Sequence, residues 1–100
     1  MAAVPSNWKR LQAHVSGRVQ GVCYRAWTCE QAQDLALVGW VRNLRDGRVE
    51  FLAEGPEVHL KTLLERSRQG PPAARVTEVL EAWSAALGRF EDFQIRYDQD

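Results

Sequence analysis

The sequence is poor in cysteine: the chain of 100 residues has only two, Cys23 and Cys29, too few for a disulfide framework. If both lie in the first predicted helical region, the two cysteines are six positions apart, which points their side chains to different faces. A chain of this size without disulfides is typical of a reducing compartment. We therefore expect a cytoplasmic protein.

The sequence also lacks any apolar run that approaches the length of a membrane-spanning helix. Its first eight residues lack the charged start and apolar stretch of a signal peptide, and they are expected to form a loose extension. Thirteen basic and thirteen acidic residues give a formal net charge of zero. Because no bulk charge attracts nucleic acid or an anionic membrane, we expect neither partner, and any affinity for phosphate must be local.

Candidate metal ligands are equally scarce. The two histidines are His14 and His59, and no Cys, Asp or Glu stands at metal-ligand spacing from either. His14 lies on the polar side of a predicted strand, and His59 lies beside an inward position of a predicted helix, so both are expected to be solvated. The sequence therefore predicts no metal and no cofactor.

The segment Gly17–Arg25 is the most informative part of the chain. Before it, apolar and polar residues alternate from Leu11 to Ser16, which predicts a strand, and after it a three- or four-residue spacing predicts a helix. Backbone N–H groups of such a loop and helix start can converge on an anion, which the helix dipole stabilises. Arg25 can then hold phosphate oxygens through paired hydrogen bonds. Taken alone the motif is weak, since many such turns bind nothing.

A second segment, Gly39–Phe51, has the pattern of a β-hairpin. Asp46-Gly47 is a strong signal for a type I′ turn, which needs positive φ at both central positions. Asn43 shares a strand face with Val41 in the middle of the first predicted strand of the hairpin, where asparagine is disfavoured. It is therefore either a surface-facing residue or an amide that the sheet holds rigidly to orient a ligand.

Together, these two segments resemble the motifs of the acylphosphatases. The first motif of that family, Gly-x-Val-Gln-Gly-Val-x-aromatic-Arg, is matched at Gly17–Arg25, and the second, Gly-aromatic-Val-x-Asn-x-x-x-Gly-x-Val, is matched at Gly39–Val49. The closing segment Phe93–Tyr97 is similar to the last strand of the family. The resemblance runs from about Leu11 to Tyr97, and two motifs in the right order and at the right separation make it specific.

The resemblance implies an α+β fold, the ferredoxin-like βαββαβ sandwich, in which two helices pack on one face of an antiparallel sheet. Ala36 departs from the family pattern, because a glycine often stands at this helix end, and it leaves the helix terminus in doubt. Along the fourth predicted strand, Val76 and Leu80 would point to one side of the sheet and Val79 and Trp83 to the other, so a bulge or a change of face is expected there. We expect an N-terminal extension over residues 1–8 and one domain over residues 9–100. The predicted strands cover about 9–16, 39–45, 48–54, 74–83 and 92–97, and the predicted helices cover about 24–36 and 57–68.

The resemblance also implies an activity: hydrolysis of the carboxyl–phosphate bond of acyl phosphates to a carboxylate and inorganic phosphate, by a hydrolase acting on acid anhydrides in phosphorus-containing compounds. Arg25 would clamp the phosphate and stabilise the transition state, and Asn43 would hold the attacking water. Inorganic phosphate or sulfate would occupy the same site. The phosphate-binding loop would present backbone N–H groups, with Gln20 and Gly21 shaping the turn, and it comprises Arg18, Val19, Gln20, Gly21, Val22 and Cys23.

This reaction needs little acid–base chemistry. The leaving group is a carboxylate, which is stable at neutral pH without protonation, and the phosphoryl oxygens can accept the proton of the water. What remains is positioning and stabilisation of charge. We therefore expect a metal-independent hydrolase that needs no histidine or cysteine. Cys23 is an alternative nucleophile, but no histidine stands near it in the sequence to act as a base.

Two other functions remain open from the sequence, because the same fold carries many activities. RNA recognition needs exposed aromatic residues and basic surface on the central strands, whereas Arg48–Glu54 has one aromatic residue and two glutamates. The second is a non-catalytic anion-binding module. Related domains occur inside larger hydrogenase-maturation carbamoyltransferases, but this chain ends at Asp100, so we expect a separate enzyme. Its expected partner is a small acyl phosphate, and a monomer is expected because no unpaired apolar stripe is left over.

Overall fold

The computed structural model of the chain describes residues 4–98, which form a five-stranded sheet with two helices packed on one face. The elements in chain order are β1 (Trp8–Arg18), α1 (Tyr24–Asp34), β2 (Val38–Asn43), β3 (Val49–Pro56), α2 (Glu57–Gln69), β4 (Arg75–Ala85) and β5 (Phe93–Ile95). The strands lie in the order β4-β1-β3-β2-β5 across the sheet. The predicted ferredoxin-like fold class is confirmed, and no element bound differs from the predicted one by more than two residues.

The predicted N-terminal extension is described only from residue 4, and residues 1–3 lie outside the described residues. The backbone oxygen of Asn7 accepts a hydrogen bond from the N–H of Glu57 at 3.1 Å, and Trp8 is the first residue of β1. These contacts join the end of the segment to the sheet and to α2. The division of the chain at residue 8 stays a prediction.

The sheet is mixed, whereas the resemblance implies an antiparallel one, because β5 runs parallel to β2. The other neighbouring strands are antiparallel. The reason lies in the chain path: after β4 at one edge, the chain crosses the face opposite the helices and joins the other edge beside β2. The N–H groups of Leu87 and Gly88 mark this crossing, since both donate to Glu54 in the central strand.

The core lies between the sheet and the helices, because side chains alternate between the two faces of each strand. The expected bulge in β4 is present, since its register with β1 shifts between Ser16 and Gly17. Neither helix in the described part of the chain is long and apolar enough to cross a bilayer. The buried inward residues include Leu11, Ala13 and Val15 of β1 and Leu60, Leu63, Leu64 and Ser67 of α2.

The face of the sheet opposite the helices carries two buried carboxylates, Glu50 and Glu54, in the central strand β3. Glu50 accepts hydrogen bonds from Arg42 and Gln12 at 2.8 Å each, and it lies 2.9 Å from His14 Nε2. Burial alone raises the pKa of Glu50, but the hydrogen bonds from Arg42 and Gln12 outweigh burial and hold the pKa below its usual range. His14 belongs to this network, which corrects the prediction that it is solvated.

Glu54 anchors the segment that crosses this face. Its carboxylate accepts hydrogen bonds from Arg10 Nε at 2.8 Å and from the N–H groups of Leu87 and Gly88 at 3.0 Å each. Burial raises the pKa of Glu54, but the two backbone N–H groups and Arg10 outweigh it, so the pKa lies below its usual range. The carboxylate is therefore ionised at neutral pH and fixes the path from β4 to β5.

The end of α1 has an alanine at the position where a Schellman motif usually has glycine. The N–H of Leu37 donates to Ala32 O at 2.9 Å, and the N–H of Ala36 donates to Gln33 O at 3.0 Å. Ala36 has a φ of +55°, in the left-handed region. The structure therefore forms the helix end that the sequence leaves in doubt. The left-handed backbone of Ala36 costs about 1–2 kcal/mol of strain there.

Ala36→Gly is expected to raise the free energy of unfolding by about 0.5–1 kcal/mol. Glycine relieves the strain of the left-handed backbone, which raises the free energy of unfolding. Part of this increase is lost, because glycine also makes the unfolded chain more flexible. The matched control is Ala32→Gly, the same substitution inside α1, which is expected to lower the free energy of unfolding by about 1 kcal/mol or more. Urea denaturation measures both. A destabilised Ala36→Gly variant contradicts the assignment of strain to this helix end.

Candidate active site

The candidate site begins with the loop of residues 19–23, which joins β1 to α1. Gly17 lets β1 and β4 approach closely, since a Cβ there would collide with the backbone oxygen of Arg75. Within the loop, Gly21 has a φ of +74° and Cys23 a φ of +64°, so the backbone enters the left-handed region twice. Left-handed residues in a loop can direct neighbouring backbone N–H groups toward one concave space, which suits an anion.

The start of α1 is uncapped. Cys23 occupies the N-cap position without a side-chain capping bond to the described residues, and the first turn, all of it described, contains no acidic residue. The N–H groups of this turn therefore lack the side-chain partners that commonly satisfy a helix start. Together with the helix dipole, they favour an anion in front of α1.

Gln20 ties this loop to the hairpin between β2 and β3. Its Nε2 donates hydrogen bonds to Leu44 O at 2.8 Å and to Arg48 O at 2.9 Å. Both carbonyls belong to the connection that begins directly after Asn43. The contact fixes the loop relative to Asn43 and supports the predicted role of Gln20 in shaping the loop.

The hairpin turn differs from the prediction. A type I′ turn needs positive φ at Asp46 and at Gly47, but of these two described residues only Gly47, at +96°, has it. The N–H of Leu44 donates to Arg48 O at 2.8 Å, and the N–H of Gly47 donates to Leu44 O at 3.2 Å, which closes a longer loop. Asp46 accepts hydrogen bonds from the N–H and Nε of Arg48 at 3.1 and 2.8 Å, which stabilises that loop. The predicted hairpin is therefore confirmed, but its turn is not of type I′.

Asn43 is the last residue of β2, whereas the hairpin pattern places it in the middle of the strand. The strand ends there because the N–H and the carbonyl of Leu44 take part in the turn. Pairing with Val49 holds the backbone of Asn43 in register with β3. Its Oδ1 is buried and has no hydrogen-bond partner among residues 4–98. Because such an atom is costly to bury, the free acceptor requires a functional explanation.

These parts enclose a cleft of about 340 Å³. Arg25, the second residue of α1, contributes a half-buried side chain to it, and Asn43 contributes its amide. The fold thus brings the two predicted catalytic residues to one place with most of the predicted loop. The predicted site residues that line the cleft are Val19, Gln20, Gly21, Cys23, Arg25 and Asn43.

Arg18 and Val22 do not line this cleft. Arg18 is exposed at the end of β1 and lines a separate cleft with Arg75, its partner across the two strands. Val22 is 9% exposed, and its apolar side chain belongs to the core. The resemblance implies that Arg18 and Val22 bind phosphate. Because their side chains do not line the cleft, only their backbone N–H groups could do so.

The charge of Arg25 is not balanced by an acid. Among residues 4–98, Arg25 forms no ion pair, although most of the arginines do. Its Cζ lies 5.2 Å from the centroid of the Tyr97 ring instead. An arginine at a helix start is unfavourable with respect to the helix dipole unless an anion is present. The arrangement is therefore ready to bind an anion.

Four further residues line the cleft that the sequence did not predict as site residues: Tyr24, Ala26, Ile95 and Tyr97. Ile95 and Tyr97 lie two positions apart at the end of the chain, and the alternation of the last strand is a signal that could have placed both on the helix side. Tyr24 donates from its hydroxyl to Ser67 O at 2.6 Å, which joins the start of α1 to α2. Burial raises the pKa of Tyr24, so its hydroxyl is a neutral donor at physiological pH.

Candidate metal ligands and thiols add little to the site. Among residues 4–98, no three His, Cys, Asp or Glu side chains lie close enough together to hold a metal ion. Cys23 is exposed and Cys29 is half-buried, and the two are not joined by a disulfide. Burial raises the pKa of Cys29, with smaller contributions from the charges of Glu30 and Asp92, so this thiol is protonated at neutral pH.

Comparison with known proteins identifies the family. The acylphosphatase family model matches residues 11–95 of the chain. An acylphosphatase from Acaryochloris marina is 53% identical over 85 residues, which cover 85% of this chain and 90% of that protein. An acylphosphatase from Methylococcus capsulatus is 49% identical over 90 residues, which cover 90% of this chain and 98% of that protein.

The fold leads to the same family. A crystal structure of an acylphosphatase from Bacillus subtilis matches with a TM-score of 0.86 at 40% identity, over 89% of this chain and 99% of that one. Hydrolysis of acyl phosphates is the activity of these enzymes, which are hydrolases acting on acid anhydrides in phosphorus-containing compounds. Since the family model and both relatives span most of the chain, this protein belongs to the acylphosphatase family.

Proposed function

We propose that this chain hydrolyses acyl phosphates by holding the phosphoryl group between Arg25 and the backbone of loop 19–23, with the attacking water at Asn43. One observation carries the proposal. Arg25, which forms no ion pair among residues 4–98, and Asn43, whose Oδ1 has no hydrogen-bond partner there, line the same cleft. A phosphate group provides the missing negative charge for Arg25, and a water provides the missing donor for Asn43.

The reaction then proceeds by direct attack of water on phosphorus. Asn43 Oδ1 accepts a hydrogen bond from the water and orients its oxygen toward phosphorus, in line with the carboxyl oxygen that leaves. The new P–O bond forms as the bond to the carboxyl oxygen breaks, and a phosphoryl oxygen takes up the proton of the water. The products are a carboxylate and inorganic phosphate. Arg25 and the loop N–H groups stabilise the charge on the phosphoryl oxygens.

The backbone N–H groups of residues 18–23 are proposed as the remaining phosphate donors. The left-handed residues of the loop and the uncapped start of α1 support this role. Inorganic phosphate, the product, and sulfate, which has the same shape, are proposed to bind in the same place and to compete with substrate. Selectivity among phosphorylated compounds then depends on the reactivity of the acyl phosphate bond and on the acyl group.

We propose no nucleic-acid partner. In the central strand β3, the outer face carries Glu50 and Glu54, both buried and hydrogen-bonded. On the neighbouring strand, the ring of Trp40 has the guanidinium groups of Arg42 and Arg96 at 5.0 and 4.8 Å from its centroid. An RNA-binding sheet of this kind needs free aromatic rings on these strands, so the arrangement favours the enzyme.

A cytoplasmic monomer without membrane contacts is proposed as the working form. The two free thiols, Cys23 and Cys29, are compatible with a reducing compartment. Among the described residues, the exposed large apolar side chains are few and lie on several segments, with Val58 in α2 and Leu80 and Trp83 in β4, which favours a monomer.

Chelator treatment tests the proposed metal-free reaction. Protein dialysed against EDTA is expected to hydrolyse benzoyl phosphate at the same rate as untreated protein, because the carboxylate leaving group and the phosphoryl oxygens need no metal-bound water. The measurement is the loss of benzoyl phosphate absorbance over time. Loss of activity on chelation, with recovery on adding a divalent cation, contradicts the proposed mechanism. Retained phosphate binding without any turnover identifies an anion-binding module instead.

A further inference from the structure

The cleft has an apolar part that the proposed phosphate site does not use. Ala26, Ile95 and Tyr97 line it together with Arg25. Tyr97 is the largest of the three, and it is 76% exposed, although Arg25 lies over its ring. An aromatic ring that is held in place while most of its surface is free is a contact surface for a ligand.

The position of the Tyr97 ring depends on its neighbours, because it lies beyond the end of β5. The N–H of Arg96 donates to Val41 O in β2 at 2.8 Å. The carboxylate of Asp98 accepts hydrogen bonds from Arg96 Nε at 2.9 Å and Nη2 at 2.7 Å, and from Arg42 Nη1 at 2.9 Å. We name Arg42, Arg96 and Asp98 the C-terminal clasp.

The clasp holds the two residues beside Tyr97 to the outer face of the sheet. Arg42 also donates to the buried carboxylate of Glu50 at 2.8 Å, which connects the clasp to the central strand. The hydrogen bonds from Arg96 hold the pKa of Asp98 below its usual range, so its carboxylate is ionised at neutral pH. With both neighbours fixed on the outer face, the ring of Tyr97 stays on the helix side, against Arg25.

We propose that Tyr97, held by the C-terminal clasp, determines specificity for the acyl group and favours acyl phosphates whose acyl group is aromatic or bulky and apolar. The inference rests on the proposed phosphate site. A phosphate held by Arg25 must place its acyl group elsewhere in the same small cleft, and the remaining lining beside Arg25 is apolar. The ring of Tyr97 offers the largest apolar contact there.

The test compares benzoyl phosphate with acetyl phosphate, whose acyl group is too small to make an extended contact with the ring. For Tyr97→Ser, kcat/KM for benzoyl phosphate is expected to fall about three- to tenfold, mainly through a higher KM. The value for acetyl phosphate is expected to change less than about twofold. Tyr97→Phe keeps the ring and is expected to keep the wild-type ratio of the two values.

Asp98→Asn tests the clasp without touching the ring. It weakens the hydrogen bonds to Arg42 and Arg96, and the ratio of benzoyl to acetyl kcat/KM is expected to fall about twofold. The matched control is Glu81→Gln, which weakens an exposed ion pair with Arg68 outside the cleft and is expected to leave the ratio unchanged. The thermal midpoint of each variant separates a change in folding from a change in specificity.

Two results overturn the inference. The ratio of the two kcat/KM values can stay at the wild-type value in Tyr97→Ser, either without loss or with equal loss on both substrates, or Tyr97→Phe can lose as much as Tyr97→Ser. In each case the wild-type protein still hydrolyses both substrates, so the proposed function stands. A wild-type protein that hydrolyses neither substrate contradicts the proposed function, which is a separate outcome.

Discussion

Replacing Arg25 by alanine is expected to lower kcat/KM for benzoyl phosphate by at least about 10²–10³, the scale of losing one preorganised charged donor at a reacting group. Arg25 is the only catalytic candidate in the described cleft that carries a positive charge, and within residues 4–98 no acid neutralises it. In the proposed mechanism, its loss removes the paired hydrogen bonds to the phosphoryl oxygens in both the ground state and the transition state. Inhibition by inorganic phosphate is expected to weaken as well.

Two further variants sharpen this result. Arg25→Lys keeps the charge but loses the planar fork, so it is expected to fall between wild type and Arg25→Ala. Arg68→Ala removes an arginine of α2 that pairs with Glu81 at 3.0 Å, outside the cleft, and it is expected to keep the wild-type kcat/KM. An Arg25→Ala variant that folds and keeps kcat/KM within about tenfold of wild type contradicts the proposed role.

Replacing Asn43 by alanine is expected to lower kcat by a similar factor, about 10²–10³, with little change in the inhibition constant of inorganic phosphate. The proposed mechanism assigns the water to the amide of Asn43 and the phosphate to Arg25 and the loop. The two constants therefore separate positioning of the nucleophile from binding of the anion. Steady-state kinetics on benzoyl phosphate, with phosphate as competitor, measure both.

In the structure, Asn43→Ala is expected to remove the amide without disturbing the fold. Asn43 Oδ1 has no partner among residues 4–98, so its removal breaks no protein hydrogen bond at that atom, and the variant is expected to remain folded. Asn7→Ala removes the amide of an exposed asparagine outside the cleft and serves as the matched control. If Asn43→Ala raises the phosphate inhibition constant as much as it lowers kcat, the residue binds phosphate and does not position water.

Local patterns account for the parts of the site that the sequence predicts. Gly21 takes a left-handed conformation in the loop, and Gly17 lies where β4 approaches the backbone closely. Such positions can be predicted from the sequence, because local steric constraints favour glycine there. Arg25 and Asn43 come from motifs that are far apart in the chain, and the fold brings them into one cleft. Their roles stay proposals.

Long-range pairing accounts for what the sequence could not predict. Alternation places Glu50 and Glu54 on the outer face, but their partners depend on strand register and on the segment that crosses that face. His14 illustrates this, because only the pairing of β1 with β3 brings it to Glu50. Tyr97 lies over Arg25 for the same kind of reason, since β5 joins the sheet beside β2.

A crystal structure of the protein with bound phosphate or sulfate tests the central claim most directly. The account predicts one tetrahedral anion in the cleft, bound to the guanidinium of Arg25 and to backbone N–H groups of the loop, with an ordered water between the anion and Asn43. An anion that occupies only the separate cleft of Arg18 and Arg75, with the guanidinium of Arg25 turned away from the loop, contradicts it.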